Sequence, residues 1–304
     1  MAVAQADDKQ ASRDWTNTEG KVIKAALVAY DSQTEMVKLK LASGKNVSIK
    51  SSTLSEQDRK WLAGLPAPGG KKGNPAVLTE GRLGKVTEIP ETEDYPQCFV
   101  YYPSKLDLKK APPLLILFAP CGNGGMLANT LQKACEEQGW AALGCNKFQN
   151  DNGDRFKEFE KLWAGLLSRL DEIVFYDPDR MYMGGMSGGS SRAYTYSAKT
   201  GDQARPWKGI VAMGGWLGRG ATKLNCPTRM CVAMINGNSD GGAISYEERD
   251  SKILKRRQCK IKKFPFDGGH QVPPAEHFSQ VLKWMNEESV KTREQQMPIE
   301  LKRD

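Results

Sequence analysis

Gly185-Met186-Ser187-Gly188-Gly189 sets one serine at the centre of a run whose small residues suit a tight, close-packed turn. The pattern is G-x-S-x-G, in which a serine on a sharp strand-to-helix turn presents its hydroxyl as a nucleophile. That hydroxyl attacks poorly at neutral pH unless a base takes its proton, and imidazole has the matching proton affinity. The chain contains two histidines. His270 lies in the glycine-flanked stretch Phe266-Asp267-Gly268-Gly269-His270 and is the expected base. His277 falls beside the apolar stripe of a closing helix and is expected to be a packing or surface residue. Asp240, in Asn236-Gly237-Asn238-Ser239-Asp240, is the expected carboxylate that orients the imidazole and stabilises its charged form. Glu247, Glu248 and Asp250 are downstream alternatives, and Asp267 is too close to His270 in sequence to face it easily. The order serine, aspartate, histidine along the chain is one of the known arrangements of this relay.

Acyl chemistry also needs fixed donors for the oxygen that becomes negative in the transition state. Gly188, next to the nucleophile, offers one backbone N–H. The loop Ala119-Pro120-Cys121-Gly122-Asn123-Gly124-Gly125 should offer the second, with Cys121 first and Gly122 next, because proline at 120 has no N–H. As a nucleophile Cys121 is weaker, since no helix start or histidine accompanies it in sequence. Met186 and Trp216 are the expected substrate contacts; Trp216 is either an aromatic wall of the pocket or a core residue.

These residues need a frame. Leu114 to Ala119 is a continuous apolar run, as in a strand buried on both faces. Met126 to Gly139 and Phe156 to Ile173 carry helical stripes, Trp140 to Cys145 is a strand candidate, and Met181 to Met183 leads into the serine turn, followed by a helix to Lys199. Gly209 to Met213, Met230 to Ile235 and Ile261 to Phe266 are further strands, Val77 to Pro103 reads as two or three short ones, and a last helix begins near Pro274. The alternation predicts an α/β fold with a doubly wound, mostly parallel sheet, whose ligands gather at the carboxyl ends of its strands.

Before it, Lys21–Tyr30, Met36–Leu41 and Asn46–Lys50 alternate with period two across hairpin-length joins, and Ser55 starts a helix. A small antiparallel β domain over residues 12–63 is expected, after a disordered start at 1–11 and before a Pro/Gly-rich linker at 64–76, with the larger domain at 77–304. Ala4-Gln5-Ala6 has the form of a signal-cleavage site without its apolar core, so the expectation is export with removal of a leader, the alternative being a plain disordered start.

Composition narrows the class. No run approaches a membrane span, and the net charge of +8 is spread among interspersed acids and bases, so no nucleic-acid partner is expected. The Lys252–Lys263 run is expected to be a solvated surface. Seven cysteines without a C-x-x-C pair, and only two histidines, argue against a metal site. Cys226 and Cys231 either close a small loop in an oxidising compartment or are buried thiols.

Trp15, Gly20-Lys21, Val37-Lys38-Leu39, Gly44-Lys45 and Leu54-Ser55 with Asp58 resemble the Sla homology domain, an SH3-like β fold. The resemblance implies either a site for a short peptide or protein ligand, or a module for stability and spacing. The serine turn, acid loop and histidine loop together resemble the α/β-hydrolase superfamily over about residues 80 to 290. Pro120-Cys121-Gly122 and the Gly-Gly-His loop are most similar to secreted esterases of the polyhydroxybutyrate-depolymerase and feruloyl or acetyl-xylan type. Those enzymes usually carry His-Gly where this chain has Ala119-Pro120. The resemblance implies a cofactor-free serine hydrolase acting on small-molecule or polymer-linked esters. The alternatives are a serine peptidase on the same sheet and an inactive hydrolase-like protein that binds through its first module.

Overall fold

The computed structural model describes residues 3–5, 12–31, 35–63, 74–150, 155–199, 207–218 and 229–296. They fall into two compact units, one within residues 3–63 and one from residue 74 onward. Cys226 lies outside the described residues, and so does most of the expected linker.

The first unit is an antiparallel sheet of β1 (Val3–Gln5), β2 (Arg13–Thr16), β3 (Val22–Asp31), β4 (Met36–Leu41) and β5 (Asn46–Lys50), closed by helix α1 (Glu56–Ala63). Strand β3 is the organiser: β4 pairs along it, while β2 takes Val22–Ala25 and β1 takes Ala29–Asp31. The three strands read from periodicity are present, because Val37 and Leu39 turn inward between exposed Lys38 and Lys40. β1 lies inside the stretch expected as a disordered start; pairing with β3 satisfies its backbone. β2 has one apolar side chain, Trp15, so alternation could not reveal it. That tryptophan is wholly buried and donates its indole N–H to the Ala25 carbonyl at 3.0 Å. Ser55 caps α1 by accepting the Asp58 N–H at 3.2 Å, and the buried Asp58 carboxylate accepts the Thr16 N–H at 2.8 Å and pairs with Arg13. The Arg13 guanidinium in turn lies over the rings of Trp61 (4.1 Å) and Trp15 (4.7 Å).

The second unit begins with helix α2 (Pro75–Thr79), then β6 (Thr87–Ile89), β7 (Cys98–Tyr101), β8 (Leu114–Phe118), α3 (Gly124–Thr130), α4 (Gln132–Gln138) and β9 (Ala141–Cys145). It continues through α5 (Phe156–Ile173), β10 (Met181–Met186), α6 (Gly188–Lys199), β11 (Trp207–Met213), β12 (Cys231–Ile235), α7 (Gly241–Arg256), β13 (Lys260–Lys263) and α8 (Ala275–Gln296). The eight strands lie in the order β6-β7-β9-β8-β10-β11-β12-β13, with β6, β7 and β9 joined antiparallel and the rest parallel. This is the α/β, doubly wound, mostly parallel sheet that the sequence predicts.

Side chains of β8 divide between two cores. Leu114, Ile116 and Phe118 join the layer of α5 and α6, whereas Leu115 and Leu117 join that of α3, α4 and α8. Burial on both faces is why the run is apolar without alternation.

Three expectations are corrected. Val77 to Thr79 is helical rather than a strand, because Asn74 caps the Ala76 N–H and Pro75 fits the first helical position. Met126 to Gly139 is two short helices that break at Leu131, which ends α3 and begins α4. The strand expected to run to Phe266 stops at Lys263, and Phe266 keeps only a single bridge to Gly237. Among the described residues no helix is long and apolar enough to cross a membrane.

Candidate active site

The serine turn is tight because the backbone on either side of it leaves no room. Ser187 has φ +54°, a left-handed conformation that is strained for a residue with a side chain. A methyl group on Gly189 would fall 2.1 Å from the Phe118 carbonyl oxygen, and one on Gly185 would fall 2.5 Å from the same atom. Strand β8 thus passes directly under the turn, and only glycine admits it. Ser187 donates its N–H to the Met213 carbonyl at 2.8 Å. Three residues on, the wholly buried Ser190 sits with Oγ 2.5 Å from the Gly185 carbonyl and accepts the Met213 N–H at 3.0 Å. Sequence reasoning did not single out Ser190, since a serine inside a helix carries no signal of a tertiary partner.

His270 Nε2 lies 2.9 Å from Ser187 Oγ, and its Nδ1 lies 2.7 Å from Asp240 Oδ2. The three residues expected from sequence therefore meet at the carboxyl end of the sheet, in hydrogen-bonded series. Burial divides them: the Asp240 side chain is 3% exposed, while that of His270 is 46% exposed. The carboxylate is thus held dry, and the imidazole keeps a face open to a reactant. Asp240 has two tasks, because its Oδ1 accepts the Ala243 N–H at 3.1 Å and caps α7. Its loop is stitched to the histidine loop by Asn238 N–H to the Phe266 carbonyl (2.9 Å) and Ser239 N–H to the Gly268 carbonyl (2.8 Å). The parallel pairing of β12 with β13 so continues past both strand ends and fixes the spacing of acid and base.

The alternatives are engaged elsewhere. Glu247 accepts from Asn236 Nδ2 at 2.7 Å and pairs with Lys263, and Glu248 pairs with Lys252. Buried Asp250 accepts the Leu217 N–H at 2.7 Å and pairs with Arg249; burial raises its pKa above the ordinary carboxylate range. His277 meets the ring of Phe266 at 5.8 Å, as a packing residue would.

On the other side of Ser187, Gly122 donates its N–H back to the Ala119 carbonyl at 3.0 Å, closing a turn through Pro120 and Cys121. Its N–H is thereby occupied. Among the described residues the N–H groups of Cys121 and Gly188 have no hydrogen-bond acceptor, and Gly188 is the first residue of α6, where the helix dipole adds positive charge. Met186 is buried in the core beneath the turn. Trp216 is half-buried and lies with Tyr246 of α7 at 5.2 Å between ring centroids, outside the two cores. Among the described residues no group of three or more His, Cys, Asp or Glu side chains comes together as metal ligands would.

No model of a known protein family and no curated protein matches the chain. Solved structures do. A hyperthermophilic esterase from the archaeon Pyrobaculum calidifontis aligns with a TM-score of 0.56 at 12% identity, covering 71% of this chain and 90% of that one. Its monoclinic crystal form gives 0.53 at 12% identity, over 71% and 90%. At that identity the likeness is one of fold: the second unit is an α/β-hydrolase fold, preceded by a small antiparallel sheet.

Proposed function

We propose that the second unit is a serine hydrolase of carboxylic esters, working through an acyl-enzyme with Ser187 as nucleophile, His270 as base and Asp240 as its orienting acid. The observation that carries the reading is the continuous series Asp240–His270–Ser187 at 2.7 and 2.9 Å, set beside two N–H groups without acceptors among the described residues. His270 takes the proton of Ser187 as Oγ attacks the ester carbonyl, and the imidazolium is stabilised by Asp240. The oxyanion is held by Gly188 and Cys121 N–H. His270 then returns the proton to the leaving alcohol, and water repeats the sequence to release the acid. Partial exposure of His270 suits entry of small-molecule or polymer-linked esters, and Trp216 with Tyr246 provides an aromatic flank for them.

The first unit is, in this reading, an SH3-like module for a peptide or protein ligand. Its support is a five-stranded antiparallel sheet around Trp15 with a terminal helix.

Hydrolysis of p-nitrophenyl acetate by the purified chain and by its Ser187→Ala variant tests the enzyme assignment. Ester cleavage by the wild type alone is expected; equal rates in both would remove it.

A further inference from the structure

We propose that Asn150 is a third donor to the acyl oxygen of the substrate, supplied by a side chain from the loop after β9; the inference deepens the esterase reading above and rests on it. The fourth position of G-x-S-x-G needs no small residue. Here it is glycine, and its missing side chain is replaced by another residue. A Cβ on Gly188 would fall 1.8 Å from Asn150 Oδ1, 2.6 Å from its Cγ and 2.7 Å from its Nδ2. The carboxamide of Asn150 therefore stands over the Cα whose neighbouring N–H is the first oxyanion donor.

Asn150 also touches the opposite wall. Its backbone N–H donates to the Pro120 carbonyl at 2.8 Å, immediately before Cys121, and Lys147 N–H donates to the Gly122 carbonyl at 2.8 Å. The preceding carbonyl, of Gln149, accepts from Arg192 Nη2 at 2.8 Å. Arg192 is itself held over the rings of Phe159 (4.8 Å) and Phe148 (5.7 Å). The backbone of Asn150 is thus held by one bond of its own and by one each at Lys147 and Gln149 of the same loop. Its side chain is exposed and makes no hydrogen bond among the described residues. A half-turn about Cβ–Cγ exchanges Oδ1 for Nδ2 and turns an N–H towards the oxyanion. Proline at 120 provides no N–H, and Gly122 spends its own on Ala119, so within the turn Pro120–Gly122 the N–H of Cys121 alone is left to give. Asn150 makes up the number.

The test is steady-state hydrolysis of p-nitrophenyl acetate by the full chain and its Asn150→Ala, Asn150→Asp, Gly188→Ala and doubly substituted Asn150→Ala/Gly188→Ala forms, each with its thermal unfolding curve. For Asn150→Ala, kcat should fall roughly tenfold to a hundredfold with KM within about twofold and unfolding unchanged. Asn150→Asp should lose at least as much, because a carboxylate repels the developing charge. Gly188→Ala should reproduce the loss by displacing the carboxamide, and the double variant should be no worse than the poorer single one. An unchanged kcat in Asn150→Ala, a loss confined to KM, or a loss that follows the unfolding temperature would overturn the inference alone. No hydrolysis by the wild type together with no organophosphonate modification of Ser187 would overturn the esterase reading and this inference with it.

Discussion

The two flanks of Ser187 are built on different principles. On the proposed acid–base flank, the work falls to two side chains, and the backbone beneath them is an extension of β12 and β13 that holds Asp240 and His270 in register. On the proposed oxyanion flank, the work falls to the backbone N–H groups of Gly188 and Cys121 with the Asn150 carboxamide beside them, and the loops after β8 and β9 must be tied together, by Pro120 and Gly122 carbonyls, to aim them. A side-chain function survives small backbone shifts through rotamer adjustment, whereas a backbone function moves with its loop. The acid–base flank should accordingly fail by loss of a chemical group, and the oxyanion flank by loss of position.

The sharpest separation is at Asp240. Asp240→Asn keeps the cap of α7, since asparagine caps as well as aspartate, but gives His270 the wrong partner; kcat for p-nitrophenyl acetate should drop by about 10³–10⁴-fold with the melting temperature unchanged. Asp240→Ala should show the same kinetic loss and, in addition, about 1 kcal/mol less stability in urea unfolding. On the oxyanion flank, Arg192→Ala should release the Gln149 carbonyl and lower kcat by about tenfold, with Ser187 still reactive towards an organophosphonate. An effect of about 1–3 kcal/mol, read in unfolding and not in kcat, is expected for Gly189→Ala, whose methyl meets the Phe118 carbonyl and must push β8 away. Arg13→Ala, in the first unit, should unmask buried Asp58 and lower that unit's unfolding transition while leaving kcat within about twofold of wild type.

The same contrast explains what the sequence disclosed. Ser187, His270 and Asp240 were legible because each is a distinctive chemical type in a glycine-rich loop after an apolar run. The parallel sheet was legible because β8 and β10 are buried on both faces. Asn150 and Ser190 were not, since their significance lies in what they touch across the fold: Gly188 and Pro120 for one, Gly185 and Met213 for the other. Gly188 held the clue, as a glycine where the motif asks for none. Gly122 was an expected donor on residue type and position, and its N–H is engaged by Ala119 because the proline-containing turn closes on itself. In the first unit, β2 escaped notice because a single tryptophan sets no period.

Covalent labelling reads, at the atom concerned, whether His270, oriented by Asp240, activates Ser187. A fluorophosphonate, followed by peptide mass mapping, should modify Ser187 in the wild-type chain and leave His270→Ala essentially unmodified over the same time. Modification at Cys121 or another residue, or equal labelling of Ser187 in both proteins, would contradict that activation.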